Sequence, residues 1–250
     1  MNIGSLIIGD ELLSGKRQDR HFNHLQIVLA KRGLELSWTI IVGDEPEKLQ
    51  RFLAFSLASP DLVFSFGGIG GTPDDRTRQS VAKVAEVPLL PHPEAVAEIE
   101  RQYGEAAYPN RILMANLPEG SRIIPNPINC VPGFSFNHHH FMPGFPEMSW
   151  PMLEWILDNN YSDLKNLAPE SEQIIYITEG RESDLLTVMN DITIAFPSLR
   201  LSSLPHLGKN MHIEFSLRGK QTHINEAMTM LKTAIDSAGF AWSTQPPDNN

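Results

Sequence analysis

Cysteine is almost missing from this chain: Cys130 is the only one in 250 residues. A single thiol can form no internal disulfide and no cysteine zinc cluster, so a reducing compartment is expected. Long apolar runs are missing too. No stretch approaches the roughly 20 apolar residues of a membrane span. The start, Met1 to Leu13, has no cationic leader and meets Asp10 and Glu11 early. These absences point to a cytoplasmic protein without a membrane partner. Basic residues are short as well, 20 Lys and Arg against 30 Asp and Glu, for a formal charge of -10. That excess repels a phosphate backbone unless the cations gather on one face, so nucleic acid is not expected as a partner.

What is present suffices for a substantial core. At 41% apolar content and 250 residues, a medium domain with a small companion is expected. The first 160 residues alternate short runs rich in β-branched and aromatic residues with amphipathic stretches, the pattern of a mostly parallel sheet with crossover helices. Strands are predicted at Ile3 to Ile8, Leu34 to Val42 and Leu62 to Phe66. Between the first two, Leu25, Val28, Leu29 and Arg32 recur at helical spacing and Gly33 follows as a helix C-terminal glycine. Glu47 to Leu57 reads as the next helix, with Asp44 placed to cap it and Pro46 near its first position.

From Asn116 to Gly144 many prolines and glycines break helices and leave room for a hairpin of short antiparallel strands. Trp150 to Leu157 reads as helical, and residues 161–172 as a linker. The remainder, 173–250, reads as a small α+β domain. Its strands are predicted at Ile174 to Ile177, Met211 to Leu217 and, more weakly patterned, Arg200 to Leu204. Its helices are predicted at Leu185 to Ile194 and Ile224 to Ile235. The polar tail from Gln245 is expected to fray.

The stretch that carries chemistry is Gly67-Gly68-Ile69-Gly70-Gly71-Thr72-Pro73-Asp74-Asp75-Arg76-Thr77, directly after the third strand. Four glycines let the backbone turn tightly and present N–H groups to an anion, at the strand end where open α/β sheets bind ligands. The plain alternative is a tight strand-to-helix connection with Asp74 or Asp75 capping the helix near Thr77. Against it stand two other strand ends, Gly9-Asp10-Glu11 and Gly43-Asp44-Glu45, which bring carboxylates to the same edge. A carboxylate about 4 Å from a phosphate costs several kcal/mol at an effective dielectric near 20. Such a site needs Mg²⁺ or another divalent cation between them, or a ligand such as a pterin with amino and amide donors.

These residues carry a resemblance. Ile8-Gly9-Asp10-Glu11-Leu12-Leu13-Ser14-Gly15, Val42-Gly43-Asp44 and the glycine loop resemble the motif series of molybdopterin-binding domains, closest to the CinA type. Leu117-Pro118-Glu119-Gly120, Asn126-Pro127, Pro132-Gly133-Phe134 and Met142-Pro143-Gly144-Phe145-Pro146-Glu147-Met148 resemble its later segments in the same order. Together they span roughly residues 3 to 157. The resemblance implies a three-layer α/β/α domain followed by a small KH-like α+β domain, and a homo-oligomer, dimer or trimer.

It implies molybdopterin or a nucleotide as ligand, with Asp44 and Asp75 in the pocket. Ligand and phosphate contacts are then expected from Gly9, Glu11, Ser14, Lys16, Gly67, Gly68, Gly70, Gly71, Thr72, Arg76 and Thr77. CinA-type relatives are associated with metal-dependent hydrolysis of a nucleotide pyrophosphate. In that chemistry Asp10, Asp44, Asp74 and Asp75 would position metal and water, Asp44 and Asp75 as metal ligands, with Lys16, Arg76 or Arg111 neutralising charge. The alternatives are a non-catalytic pterin- or nucleotide-binding module, a molybdenum-cofactor biosynthesis protein, and a structural oligomer whose pocket is lost. The chain departs from the family at Gly71, where proline is usual, at Asn129, where glycine is usual, and at Asp19-Arg20-His21, where Asp-x-Asn is usual. It has no Gly-x-x-Gly loop around Gly208 to clamp a nucleic-acid backbone.

Three further signals are given structural readings. His138-His139-His140 is expected at a polar hairpin tip, because three adjacent side chains fan apart. Trp150, Met152 and Trp155 are expected to pack, and Cys130 to be a small buried hydrophobe. Asp184 and Asp191 are expected on a solvated helix face.

Overall fold

A computed structural model of the chain describes residues 2–166, 170–178, 180–208 and 211–247. The chain divides into two compact units, Met1–Leu167 and Ala168–Asn250.

The first unit begins β1 (Ile3–Ile8), α1 (Asp10–Leu13), α2 (His21–Ala30), β2 (Trp38–Val42), α3 (Pro46–Leu57), β3 (Leu62–Phe66) and α4 (Thr77–Val84). It continues with β4 (Leu89–Pro91), α5 (Pro93–Tyr103), β5 (Asn116–Pro118), β6 (Arg122–Ile124), β7 (Gly133–Phe136), β8 (His139–Met142) and α6 (Pro146–Asn160). Six strands form one sheet in the order β2-β1-β3-β8-β7-β6. β2, β1, β3 and β8 run parallel, β7 pairs antiparallel with β8, and β6 pairs antiparallel with β7. β4 and β5 pair as a separate ribbon.

Why β1 lies central follows from its side chains. All six residues are buried, and alternation sends them to opposite faces. Ile3 and Ile7 join Leu25, Val28 and Leu29 of α2 and Met152, Leu153 and Ile156 of α6. Leu6 and Ile8 join Leu49 and Leu53 of α3, Val81 of α4 and Ile99 of α5. Each such side chain contributes roughly 1.5–3 kcal/mol on burial. The result is the three-layer α/β/α domain. Gly4 is required beneath the edge strand, since a Cβ there would lie 2.0 Å from the Trp38 ring.

β1 and β3 coincide with their predicted spans, whereas β2 starts four residues later than expected. Gly33 takes φ 69°, and Leu34 N–H turns back to Leu29 O at 2.9 Å. Leu34 therefore closes the end of α2 rather than opening a strand. Asp44 does not cap α3. The cap position is Glu45, and the Asp44 carboxylate is engaged elsewhere. The histidine run also corrects the expectation: the turn is only Asn137-His138, while His139 and His140 are 1% and 0% exposed in β8. Cys130 is half-buried rather than buried, with Arg101 Nη2 3.6 Å from its sulfur.

The second unit contains β9 (Ser171–Thr178), α7 (Glu182–Ala195), β10 (Arg200–His206), β11 (His212–Gly219), α8 (Gln221–Ser237) and β12 (Ala241–Ser243). Its sheet has the order β10-β11-β9-β12, all neighbours antiparallel. That is the split βαβ arrangement, a more definite topology than the KH-like unit the resemblance implies. Ile175, Ile177, Phe215 and Leu217 pack on Leu185, Ile192, Leu231 and Ile235 of the two helices. Asp184 accepts Arg181 N–H at 3.2 Å, before the first turn of α7. Of the proposed linker, residues 167–169 lie outside the described residues, as do 248–250 of the tail. Among the described residues no helix is long and apolar enough to cross a membrane.

Candidate functional site

Four parallel strands end at the same edge of the first sheet, and each hands over to glycine: Gly9 after β1, Gly43 after β2, Gly67 after β3, and Pro143-Gly144 after β8. After β3 the glycines are there because the segments approach too closely for side chains. A Cβ on Gly67, at φ 105°, would lie 2.1 Å from Ile8 O, and one on Gly68, at φ 68°, 2.3 Å from Thr77 Oγ1. The loop that follows is tied down from below. Thr77 N–H donates to Gly68 O at 3.0 Å and Thr77 Oγ1 to Gly67 O at 3.2 Å. Asp75 accepts Thr72 N–H at 2.9 Å and Thr72 Oγ1 at 2.5 Å, the local ring by which an acidic side chain closes a turn.

Beneath the loop lies a residue that sequence reasoning did not single out. Arg78, 4% exposed, donates through Nη2 to Gly70 O at 2.5 Å and through Nη1 to Leu113 O at 2.6 Å. Burial lowers its pKa, and the Asp75 carboxylate opposes that shift. A charged donor on two carbonyls fixes the loop more firmly than neutral bonds would. Its signal in the sequence was slight: an arginine one residue inside an amphipathic helix reads as surface. Arg78→Met should lower stability by about 2–4 kcal/mol, because two carbonyls lose a charged partner. Urea unfolding midpoints of the two proteins would measure it; a change within about 0.5 kcal/mol would show that Arg78 does not hold the loop.

The acidic strand ends do meet. Asp10 and Asp44 clasp each other reciprocally: Asp10 N–H donates to Asp44 Oδ2 at 2.9 Å, and Asp44 N–H to Asp10 Oδ1 at 3.1 Å. Gly43 makes room, since a Cβ there would sit 2.2 Å from Asp10 Oδ1. Burial, and then the charges of Asp10, Glu11 and Asp74, hold the Asp44 carboxyl above its ordinary pKa, against a lowering hydrogen bond from the Asp10 amide. Carboxylates of all three strand ends are thus felt at one group.

A cavity of about 530 Å³ opens over this floor. Of the expected residues, Gly9, Glu11, Asp44, Gly67, Gly68, Gly70, Gly71, Thr72, Asp74 and Asp75 line it. Asp10 does not line it and serves the clasp instead. Thr77 is fully buried below the loop. Ser14 donates to Glu11 O at 3.3 Å in the turn after α1, and neither it nor Lys16 lines the cavity. Arg17 lines it instead. Arg76 folds its Nε onto Pro73 O, and Arg111 lies over the Tyr103 ring with Nη1 on Ala106 O at 2.8 Å. Neither reaches the cavity.

A second hollow of about 570 Å³ adjoins the first and shares Ile8, Glu11, Arg17, Gly144 and Phe145 with it. His21 forms part of its wall. Its Nε2 lies 3.1 Å from Gly144 O; a carbonyl can only accept, so that nitrogen carries the proton. The ring stacks on Phe66 at 4.5 Å, and burial lowers its pKa. Asp19 receives His21 N–H at 3.0 Å and Phe22 N–H at 2.9 Å and so caps α2. The other departures are absorbed without strain. Asn129 Oδ1 accepts Asn126 Nδ2 at 2.8 Å and Val131 N–H at 3.1 Å, and a Cβ on Gly71 would meet only Met114 at ordinary contact distance.

Among the described residues no three His, Cys, Asp or Glu side chains are placed to hold a metal ion unaided. Of the two expected metal ligands, Asp44 lines the cavity wall and Asp75 has its Oδ2 taken by Thr72, so Asp44 and the neighbouring Asp74 are the carboxylates that could hold a hard divalent cation. Such an ion characteristically takes one or two carboxylates and completes its shell with phosphate oxygens and water.

Comparison with known proteins agrees with this arrangement. Residues 4–162 match the family model described as "Probable molybdopterin binding domain". A CinA-like protein of Gloeobacter violaceus is 37% identical over 131 residues, 51% of this chain and 31% of that protein. A CinA-like protein of Desulforapulum autotrophicum is 29% identical over 216 residues, 80% of this chain and 50% of the relative. The chain thus spans about a third to a half of the length of these relatives. The crystal structure of CinA from Thermoplasma acidophilum, a protein described there as of unknown function, superposes with a TM-score of 0.58 at 27% identity. It covers 64% of this chain and 98% of its own. With its sheet, its glycine loop and its family match in agreement, the chain belongs to the molybdopterin-binding domain family.

Proposed function

We propose that the first unit binds a phosphorylated pterin or nucleotide with its phosphate on the N–H groups of residues 68–71, and that it hydrolyses a nucleotide pyrophosphate when a divalent cation is bound. The observation that carries the reading is the tethered loop, with Gly68 and Gly70 beside Asp44, Asp74 and Asp75 in one cavity. Backbone donors attract the anion, while the nearby carboxylates repel it unless a cation or ligand donors intervene. Asp44 and Asp74 would hold the cation, and a bound divalent ion supplies a polarised phosphoryl oxygen and a more acidic water. Asp75 keeps Thr72 and the loop in place for the phosphate, and Arg17 offsets its charge. The match to a probable molybdopterin binding domain supports the pterin part of the reading.

Incubation with ADP-ribose or FAD plus Mg²⁺, Mn²⁺ or Co²⁺ is expected to release mononucleotide. If none appears with any of the three ions, the hydrolytic half of the proposal is wrong. Binding is tested separately by thermal shift, since ligand at 100 times its Kd adds about 2.7 kcal/mol of stability. Asp75→Ala should weaken that ligand at least tenfold; an unaltered shift would place the phosphate elsewhere.

A further inference from the structure

The two adjoining hollows share Phe145, which is out of character for its place. It is 55% exposed, belongs to neither core cluster of its unit, and stands where two partly polar hollows meet. A large aromatic side chain left in water loses the roughly 1.5–3 kcal/mol that burial would return, so a position that keeps one exposed where two hollows meet calls for a use.

Its backbone is held on both sides. The Phe145 carbonyl accepts Met148 N–H at 3.0 Å, Ser149 N–H at 2.9 Å and Ser149 Oγ at 3.0 Å, at the start of α6. The preceding Gly144 carbonyl accepts the His21 ring at 3.1 Å. An aromatic ring with two side-chain torsions on so fixed a backbone loses little freedom when a second ring stacks on it. The second hollow beyond it offers acceptors as well as the donors Arg17, Gln18 and Arg20. Asp19 is occupied by the amides of α2, but Glu11 and Glu147 also line the wall. Carboxylates there suit the amino and amide N–H groups of a heterocycle.

The geometry points to Phe145 as the stacking platform for the heteroaromatic ring, purine or pterin, of a ligand whose phosphate lies on the glycine loop. The ring enters the second hollow, the phosphate the first, and the chain between them passes Arg17. This assignment rests on the phosphate reading of the loop proposed above, and it adds that the ring is recognised as well.

Calorimetric titration of the full chain tests it with three kinds of probe: AMP and ADP-ribose for the purine, neopterin phosphate for the pterin, and ribose 5-phosphate for a phosphate without a ring. Phe145→Ala should weaken the ring-bearing probes about tenfold or more, the scale of a base-on-aromatic stack, and leave ribose 5-phosphate within twofold. Phe145→Trp should restore the ring-bearing probes. Which of AMP and neopterin phosphate responds more identifies the ring. Equal weakening of ribose 5-phosphate, or no weakening of any probe, overturns the assignment while leaving the loop reading intact. Failure of every phosphorylated probe to bind the wild-type chain overturns both.

Discussion

Gly67→Ala is expected to destabilise the first unit by about 2–6 kcal/mol and to abolish ligand binding at the loop. Two costs add. The residue sits at φ 105°, a conformation that costs a side chain of the order of 1–3 kcal/mol. The new Cβ would also stand 2.1 Å from Ile8 O, and overpacking typically costs a further 1–3 kcal/mol. Relief is blocked on every side because the contact is backbone. Gly67 N–H donates to Met142 O at 3.0 Å, and its carbonyl accepts Thr77 Oγ1, so moving Gly67 away from β1 breaks its link to β8 or to α4.

Two controls separate strain from clash. Gly120 has φ 86° with nothing within 4 Å of a Cβ, and Gly71 has an ordinary φ with only Met114 nearby. Gly120→Ala should therefore cost about 1 kcal/mol and Gly71→Ala almost nothing. Urea midpoints for the three variants would rank them. A Gly67→Ala protein as stable as Gly120→Ala would show that the three strand ends are not packed as described.

Much of this site is readable from residues alone, because glycine and carboxylate at strand ends are local signals. β1 and β3 are read with their true bounds since both are mostly apolar runs between polar breaks. What the chain hides is the use of polar atoms at long range. Asp44 looks like a helix cap by position, yet its carboxylate reaches Asp10, 34 residues away. Arg78 looks like surface, yet it closes the underside of the loop through Leu113. Arg17, not Lys16, lines the cavity, and one step along a turn cannot be resolved by spacing. The ribbon β4-β5 and strand β12 are three residues each, too short to show a period of two.

The histidine run is the clearest case of concealment, and it carries the second large prediction: the first unit should lose stability steeply on acidification below about pH 6.5. His139 and His140 lie inside a central strand. Burial pushes their pKa values down to about 4 and about 3, reinforced at His139 by His138, against Asp61, and at His140 by His139, Arg122 and His138. His140 at least has partners as a neutral ring, Ser135 Oγ at 2.8 Å and Tyr161 OH at 2.9 Å. His139 has none on either nitrogen. The unfolded chain takes up protons near pH 6.5 while the folded chain does not. Stability is therefore whole above that pH and falls as the pH drops towards 4 for one histidine and 3 for the other.

Each contributes up to about 1.4 kcal/mol per pH unit, so the pair removes up to about 4 kcal/mol between pH 6.5 and pH 5. His21, lowered by burial too, acts in the same direction. Asp44 acts in the opposite one, since its raised pKa favours the folded state as the carboxyl protonates. Its ordinary value of 3.8 confines most of that relief to the lower end of the range. His139→Leu isolates the effect: it removes one titrating ring, and it replaces two unpartnered buried nitrogens with carbon at similar volume, so it should also raise stability at pH 7.5. Urea unfolding at pH 7.5, 6 and 5 should show a shallower acid slope for the variant than for the wild type. Parallel slopes would mean that His139 titrates normally and that β8 does not lie at the centre of the sheet.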